Sequence, residues 1–426
     1  MRLLIKAGRV VDPANKIDAV TDILIEDNKI ALVDEQIKID TDLTIEAQGK
    51  IVMPGIIDMH VHLREPGRED KETVASGTAA ALRGGVTTLL AMPNTTPAID
   101  NPQTAALLKE IINRTAQAGV LLAGAITKDR LGKELVDIPS LKKVGVVALS
   151  DDGSSVDSDE LMFMALKRAK REGILIICHS EDKGLSAQGV VNLGLTSTRL
   201  GLRGISCESE YKRVERDIKL AEKAGAAVHI AHVSCRKSVD IIAKAKQRGV
   251  RVTAETAPHY FTFTEEAVLG YDTNMKMNPP LRSLDDLAAI KEALHEGIID
   301  VIASDHAPHT ENEKEIEFVR AEFGVVGLQT ELSAAVSELI EPGILGWPGL
   351  VEKLSVNPAR ILGLKKGSLC VGSDADLVVV DPQRVWQVGK EALVSRSKNS
   401  AFLGKVLKGR VEYTIYNGKV VYARSA

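Results

Sequence analysis

A chain of 426 residues exceeds a typical single domain and suits one large barrel plus a smaller unit. Hydrophobic residues make up 44% and charged ones 26%, ordinary for a soluble enzyme, and a formal charge of -4 leaves no basic footprint for nucleic acid; a small-molecule partner is expected. The four cysteines, Cys178, Cys207, Cys235 and Cys370, are scattered with no Cys-x-x-Cys, which fits a reducing cytoplasm. The apolar residues of Met1 to Asp12 are interrupted by Arg2, Lys6 and Arg9, and no later run approaches ~20 apolar residues, so neither a signal peptide nor a membrane span is expected.

Residues 1 to about 53 read as short strands: Leu3 to Lys6, Asp22 to Glu26, Lys29 to Val33 and Leu43 to Glu46, with Asp27-Asn28 as a tight turn. The far end has the same texture. Ala375 to Val380, Lys405 to Val411 and Val411 to Tyr416 read as strands, and Asn417-Gly418 is a hairpin signal before Lys419 to Tyr422. The two ends are therefore expected to form one composite β-rich domain, a small β-sandwich of residues 1–53 plus 365–426.

Between them, in residues 54–364, apolar runs alternate with helical stretches, the pattern of a parallel α/β fold. Eight strands are predicted: Ile56 to His60, Val86 to Met92, Val120 to Ala125, Val146 to Ser150, Ile174 to His179, Ala227 to Val233, Val250 to Glu255 and Asp300 to Asp305. Gln103 to Gln117, Ser158 to Arg171, Glu210 to Ala224, Ser238 to Gln247 and Leu284 to His295 carry helical spacing, with Gly119, Gly173, Gly225, Gly249 and Gly297 as stops. Eight such units without a Gly-x-Gly-x-x-Gly after the first strand favour a closed (β/α)8 barrel over an open sheet. The longer intervals Ser180 to Arg216, Tyr260 to Leu284 and 306 to 326 are candidate active-site loops.

The first barrel strand runs into Asp58-Met59-His60-Val61-His62-Leu63-Arg64. A strand's period of two would put His60 and His62 on one face, in phase with Asp58 and Arg64, where two imidazoles can share a metal. A bare His-x-His equally describes two ordinary polar residues. Later strands also end in suitable side chains: Asp151-Asp152 after the fourth, His179 at the fifth, His232 near the sixth and Asp305 at the eighth. In a barrel these ends converge on one mouth. Four histidines and two carboxylates exceed one tetrahedral metal and suit two ions with a shared bridge, a device that makes hydroxide at neutral pH.

Ordered motifs extend the pattern: Pro-Gly-Ile-Ile-Asp-Met-His-Val-His-Leu-Arg (54 to 64), Ala-Met-Pro-Asn-Thr (91 to 95), Ser-Asp-Asp-Gly (150 to 153), Cys-His-Ser-Glu (178 to 181), Ala-His-Val-Ser (231 to 234), Glu-Thr-Ala-Pro-His-Tyr (255 to 260), Met-Asn-Pro-Pro-Leu-Arg (277 to 282) and Ser-Asp-His-Ala-Pro-His (304 to 309). With these the chain resembles, over essentially its whole length, a dihydroorotase of the amidohydrolase superfamily, of the class I bacterial type. The resemblance implies reversible closure of N-carbamoyl-L-aspartate to L-dihydroorotate in pyrimidine (UMP) synthesis, and a barrel flanked by a small β domain from both termini. It implies two zinc ions per subunit, one held by His60, His62 and Asp305, the other by His179 and His232, with Asp152 bridging. Asp305 becomes the general acid and base. Arg64, Asn94 and His309 are implied for the substrate carboxylate, His62 beside the substrate, and Asn278 with the Phe323-Gly324 backbone for the ring. A homodimer, alone or joined to aspartate transcarbamoylase, is the implied assembly.

One departure from the superfamily stands out. Relatives such as the hydantoinases usually join their metals through a carboxylated lysine at the end of strand four, whereas here the nearest preceding lysine, Lys143, lies before that strand. Between Asp151 and Asp152 the resemblance gives the bridge to Asp152, which implies that Asp151 points away or braces the loop. Hydantoinases, dihydropyrimidinases and allantoinases are the rival enzymes; Arg64, Asn94 and the Asn278 motif favour a carboxylate-bearing ring. A non-catalytic structural partner of aspartate transcarbamoylase is a further alternative, but such relatives tend to lose ligands and all six are kept here. Four residues are set aside: His259 as a support behind the site, His229 as facing the opposite side of strand six, His295 as a surface residue and Cys178 as packed away from its neighbouring ligand.

Overall fold

Both chain ends consist of apolar runs too short for stable helices, and they assemble into one hydrogen-bonded sheet of eight strands in the computed structural model, which describes residues 2–424. Arg2–Asp12, Ile17–Glu26 and Lys29–Asp34 form one antiparallel run; Leu377–Gln387, Val406–Tyr416 and Lys419–Ala423 form another. Ile51–Pro54 joins them, parallel to Arg9 and Val10 and antiparallel to Leu377 through Val380. The first strand changes partner along its length, pairing through Leu3 to Lys6 with Leu43–Glu46 and farther on with Ile51 and Val52. Leu3, Ile23, Ile45, Val52, Leu377 and Ile415 share one core, so the sandwich-like packing comes from a single folded sheet.

The turn signals act as read. Asp27 and Asn28 have φ of 47° and 68°, and Asn417 and Gly418 48° and 71°, the left-handed pair that suits a two-residue hairpin. The two strands expected between 405 and 416 are one: Val379 pairs with Tyr413 and Val380 with Val411, so Glu412 is bulged out while the strand continues.

The central segment forms eight parallel strands paired in chain order: β1 (Ile56–Val61), β2 (Val86–Ala91), β3 (Gly119–Gly124), β4 (Val146–Leu149), β5 (Leu175–Cys178), β6 (Val228–Ile230), β7 (Val252–Thr256) and β8 (Val301–Ile302). The ring is nearly closed. Val61 pairs in parallel with His306, just beyond β8, and the His62 N–H donates to the His306 carbonyl at 2.9 Å. Inward-facing Leu90, Met92, Ala123, Ala148, Ile177 and Val301 fill the barrel, and Ile361 and Leu362 pack against them. Outward-facing residues of the strands pack on the helices.

Seven helices cross between strands: α1 (Val74–Arg83), α2 (Pro102–Thr115), α3 (Ile138–Val144), α4 (Asp159–Glu172), α5 (Glu208–Ala224), α6 (Arg236–Gln247) and α7 (Leu284–His295). α4 shows why such segments are helical. The Ser158 side chain accepts from the Leu161 N–H, Asp159 and Glu160 occupy the first turn, Lys170 and Arg171 the last, and Gly173 ends it in the left-handed region. Gly225 ends α5 likewise, whereas Gly119 is no stop and lies inside β3. α1 and α3 are additions to the expected helices; α1 is built largely from Ala, Ser, Gly and Thr, whose small side chains give little apolar contrast.

Candidate active site

The strands end early and the side chains that matter come just after. β1 slips register by one residue, with Asp58 opposite Leu89 but Val61 opposite Ala91. This bulge lets Met59 join the barrel filling while His60 is aimed at the mouth. The simple alternation expected for Asp58, His60, His62 and Arg64 therefore fails. Asp58 turns back on the backbone, accepting from the His60 N–H at 3.0 Å and the Ser304 N–H at 3.2 Å. Arg64 lies past the strand and reaches the mouth with φ of 60°. His232 and Asp305 also hold left-handed backbones, φ 35° and 47°, which is why β6 and β8 stop short of their predicted ends. Uncommon backbone at three such residues is the pattern of a functional site.

Asp152 sits at the centre. Its Oδ1 lies 3.2 Å from His60 Nε2, 3.4 Å from His179 Nδ1 and 3.7 Å from His232 Nε2, while its Oδ2 lies 3.5 Å from His62 Nε2. Asp305 Oδ1 faces the same pair from the other side, 3.3 Å from His62 and 3.6 Å from His60. Two overlapping trios could each hold an ion: His60, His62 and Asp305, and His60, Asp152 and His232. His179 joins the second through His232, ring nitrogen to ring nitrogen at 2.8 Å. The donor set fits a metal. His60 Nε2 and Asp152 Oδ1 are buried without a sound hydrogen bond, a costly arrangement that a shared cation relieves.

The charges agree. Burial disfavours protonated His60, yet Asp152, Glu255 and Asp305 raise its pKa well above the ordinary value. Burial likewise opposes ionised Asp152, but His60, His179 and His232 hold its carboxyl well below the usual range. A divalent cation in this cluster takes the place of those protons, because ligand imidazoles must be neutral.

Three of these histidines are held from behind. His60 Nδ1 meets Glu255 Oε1 at 2.6 Å, His62 Nδ1 meets Asn94 Oδ1 at 2.7 Å, and His179 Nε2 meets Glu181 Oε2 at 3.3 Å. Such contacts fix which ring nitrogen is free for a metal. Glu255 also contacts His229 Nε2 at 3.1 Å, so His229 supports the same network instead of facing away; β6 ends at Ile230, and period-two counting does not reach His232. Glu255 and Glu181 were missed as candidates. Their signal was present: a glutamate within an apolar strand is too costly to bury without a partner, and Glu181 follows His179 by two residues.

The remaining sequence candidates fall around a cleft lined by His62, Arg64, Asn94, Asp152, His179, His232, Asn278, Asp305, His309, Phe323 and Gly324, together with Gly153, Ala307 and Glu322. His60 lies at its floor, 1% exposed. Arg64 is half-buried and desolvation lowers its pKa to about 10, so it stays charged; among the described residues its hydrogen bonds go to the Pro308 carbonyl and His309, not to a carboxylate. Asp151 is outside the cleft, accepting from the Ile126 and Thr127 N–H groups at 2.8 and 3.1 Å and from the Thr127 hydroxyl. Lys143 is exposed in α3, and no lysine lines the cleft among the described residues. His259 is buried beside Tyr260, His295 is exposed, and Cys178 packs in the outer core.

A family model described as dihydro-orotase-like matches residues 49–238. The chain is 52% identical over 420 residues to a dihydroorotase of Elusimicrobium minutum, covering 99% of this chain and 97% of that one, and 49% identical to a dihydroorotase of Geobacter metallireducens, covering all of both. The chain belongs to the dihydroorotase family. It is accordingly a cyclic amide hydrolase. Among solved structures, L-hydantoinase (dihydropyrimidinase) from Arthrobacter aurescens matches with a TM-score of 0.90 at 26% identity, over 100% of this chain and 96% of that one. Dihydropyrimidinase from Brevibacillus agri matches at 0.86 and 25% identity, over 99% and 95%. The dihydroorotase family thus shares its barrel with hydantoinases, and the eight-stranded parallel barrel expected from the strand rhythm is present.

Proposed function

We propose that this dihydroorotase interconverts N-carbamoyl-L-aspartate and L-dihydroorotate with two divalent ions, zinc being the ion best matched to the imidazole and carboxylate set. His60, His62 and Asp305 would hold one ion, His179 and His232 the other, and Asp152 both. Ions bound there supply Lewis acidity, bringing water's ionisation near neutral pH and polarising a carbonyl. In the hydrolytic direction Asp305 accepts the proton of the attacking water and passes it to the ring nitrogen as the ring amide C–N bond breaks. Cyclisation reverses each transfer, since one group serves as acid in one direction and base in the other. Arg64, Asn94 and His309 hold the substrate carboxylate, while Asn278 and the Phe323-Gly324 backbone meet the ring.

The observation that carries the reading is Arg64: a half-buried guanidinium with no carboxylate partner among the described residues, in the same cleft as the proposed ligand cluster. Uncharged hydantoins offer no carboxylate to pair with it; dihydroorotate does. The test is to measure carbamoyl-aspartate cyclisation and dihydroorotate hydrolysis beside hydantoin and allantoin hydrolysis, with metal content on the same sample. Turnover of the first pair and poor use of the others is expected. The reverse order of preference moves the substrate assignment to the hydantoinase class.

We extend the proposal to a cytoplasmic homodimer, alone or joined to aspartate transcarbamoylase. The four unpaired cysteines support a reducing compartment, and no helix among the described residues is long and apolar enough to cross a membrane. Sedimentation at assay concentration checks the assembly, and a monomer there removes the dimer.

A further inference from the structure

His309 faces two side chains that can only donate. Lys71 Nζ lies 3.1 Å from its Nδ1, and Arg64 Nη2 lies 3.3 Å from its Nε2. A neutral imidazole has one acceptor nitrogen, so it cannot satisfy both. A third neighbour settles the matter: the Phe323 carbonyl lies 2.8 Å from Nε2 and needs a donor there. Nδ1 therefore accepts from Lys71 and the ring proton is on Nε2. The His309 Nε2–H is then taken by the Phe323 carbonyl, and Arg64 Nη2, facing a protonated nitrogen, finds no acceptor on the imidazole. That is the arrangement a carboxylate completes.

Lys71 is built into its place. It is 6% exposed, its ammonium pairs with Glu313 Oε1 at 2.9 Å, and its carbonyl accepts from the Ser397 hydroxyl at 2.7 Å. Glu313 is held in turn by Arg68 at 2.7 Å and by the Thr310 N–H at 3.0 Å.

Resting on the dihydroorotase reading, we propose that Lys71 is a positioning residue that fixes His309 as its Nε2–H tautomer, which denies Arg64 Nη2 an acceptor on the imidazole and so keeps that donor free for the substrate carboxylate. The test is Lys71→Met, with Lys71→Arg as a variant that keeps a donor. ¹⁵N-labelled histidine spectra, with His309 assigned from a His309→Asn spectrum, should show the proton on Nε2 in the wild type and Lys71→Arg, and a shift toward Nδ1–H in Lys71→Met. KM for dihydroorotate should rise roughly tenfold or more in Lys71→Met, the range for a lost charge-assisted contact, with kcat within about threefold, metal content unchanged and Lys71→Arg closer to wild type. A wild-type His309 protonated on Nδ1, or a Lys71→Met variant with unchanged tautomer and KM, overturns the proposal. Should the wild type not turn over dihydroorotate at all, the substrate reading falls, and the tautomer spectra still decide the role of Lys71.

Discussion

Burial alone would keep Asp305 protonated, and His60, His62 and His232 overrule it, bringing the carboxyl down to about 2. An ionised carboxylate beside the histidine cluster is a ready proton acceptor. Asp305→Asn is expected to lose about 10²- to 10⁴-fold in kcat in both directions, the usual contribution of a general acid and base. Metal analysis on the same sample must show the ions retained; activity within a few-fold of wild type removes Asp305 from the role. Arg64→Lys keeps the charge but not the planar fork, and kcat/KM for dihydroorotate should fall by about 10- to 100-fold, while hydantoin, lacking the carboxylate, is used as poorly as before. Glu255 touches no substrate but holds His60 Nδ1. Glu255→Gln should weaken metal affinity by roughly 10- to 100-fold in a chelator competition, with the fully loaded enzyme much less affected; an unchanged affinity would show that the glutamate serves packing alone.

At the level of elements, the strand-end residues were legible because apolar runs ending in His or Asp recur at barrel spacing. What was not legible was how they turn into the cleft. The bulge at Met59 and the left-handed backbones of Arg64, His232 and Asp305 carry no local turn signature, since tertiary packing imposes them. The same limit explains His229 and Glu255, whose partnership joins two neighbouring strands. Asp151 shows an element held by one side chain, for it ties the end of β4 to the loop after β3. Asp151→Ala strands two backbone N–H groups and should cost about 2 to 4 kcal/mol in denaturant titrations, while the folded fraction keeps more activity than Asp152→Ala. Lys353 tests a buried charge farther off. Burial lowers its pKa from 10.5 to about 8, and its ammonium donates to the Ile299 carbonyl at 2.9 Å. Between those two values the unfolded chain binds the extra proton, so stability should rise with pH from about 8 to 10.5 relative to Lys353→Met. Parallel stability curves for the two proteins across that window would contradict it.

Across the whole molecule, the chain's two ends do more than flank the barrel. Asn399 accepts from the His309 N–H at 3.1 Å and donates to the Gly324 carbonyl at 3.1 Å, and Ser395 donates to Glu72 beneath α1. The segment returning to the sheet therefore braces the side of the cleft assigned to the carboxylate. Asn399→Ala is expected to raise KM for dihydroorotate roughly tenfold with metal content unchanged; an unaltered KM would make this contact structural only. The composition of the two ends announced a shared β unit, but not that Ile51–Pro54 is its joining strand, because that run reads equally well as the lead-in to β1. Everything proposed for the chemistry depends on Asp152 joining two ions between the histidines. Anomalous X-ray scattering from crystals of the metal-loaded protein measures this most directly. It should show two ions per chain flanking the Asp152 carboxylate; a single ion, a carboxylated lysine between two ions, or Asp151 in the bridge would contradict it.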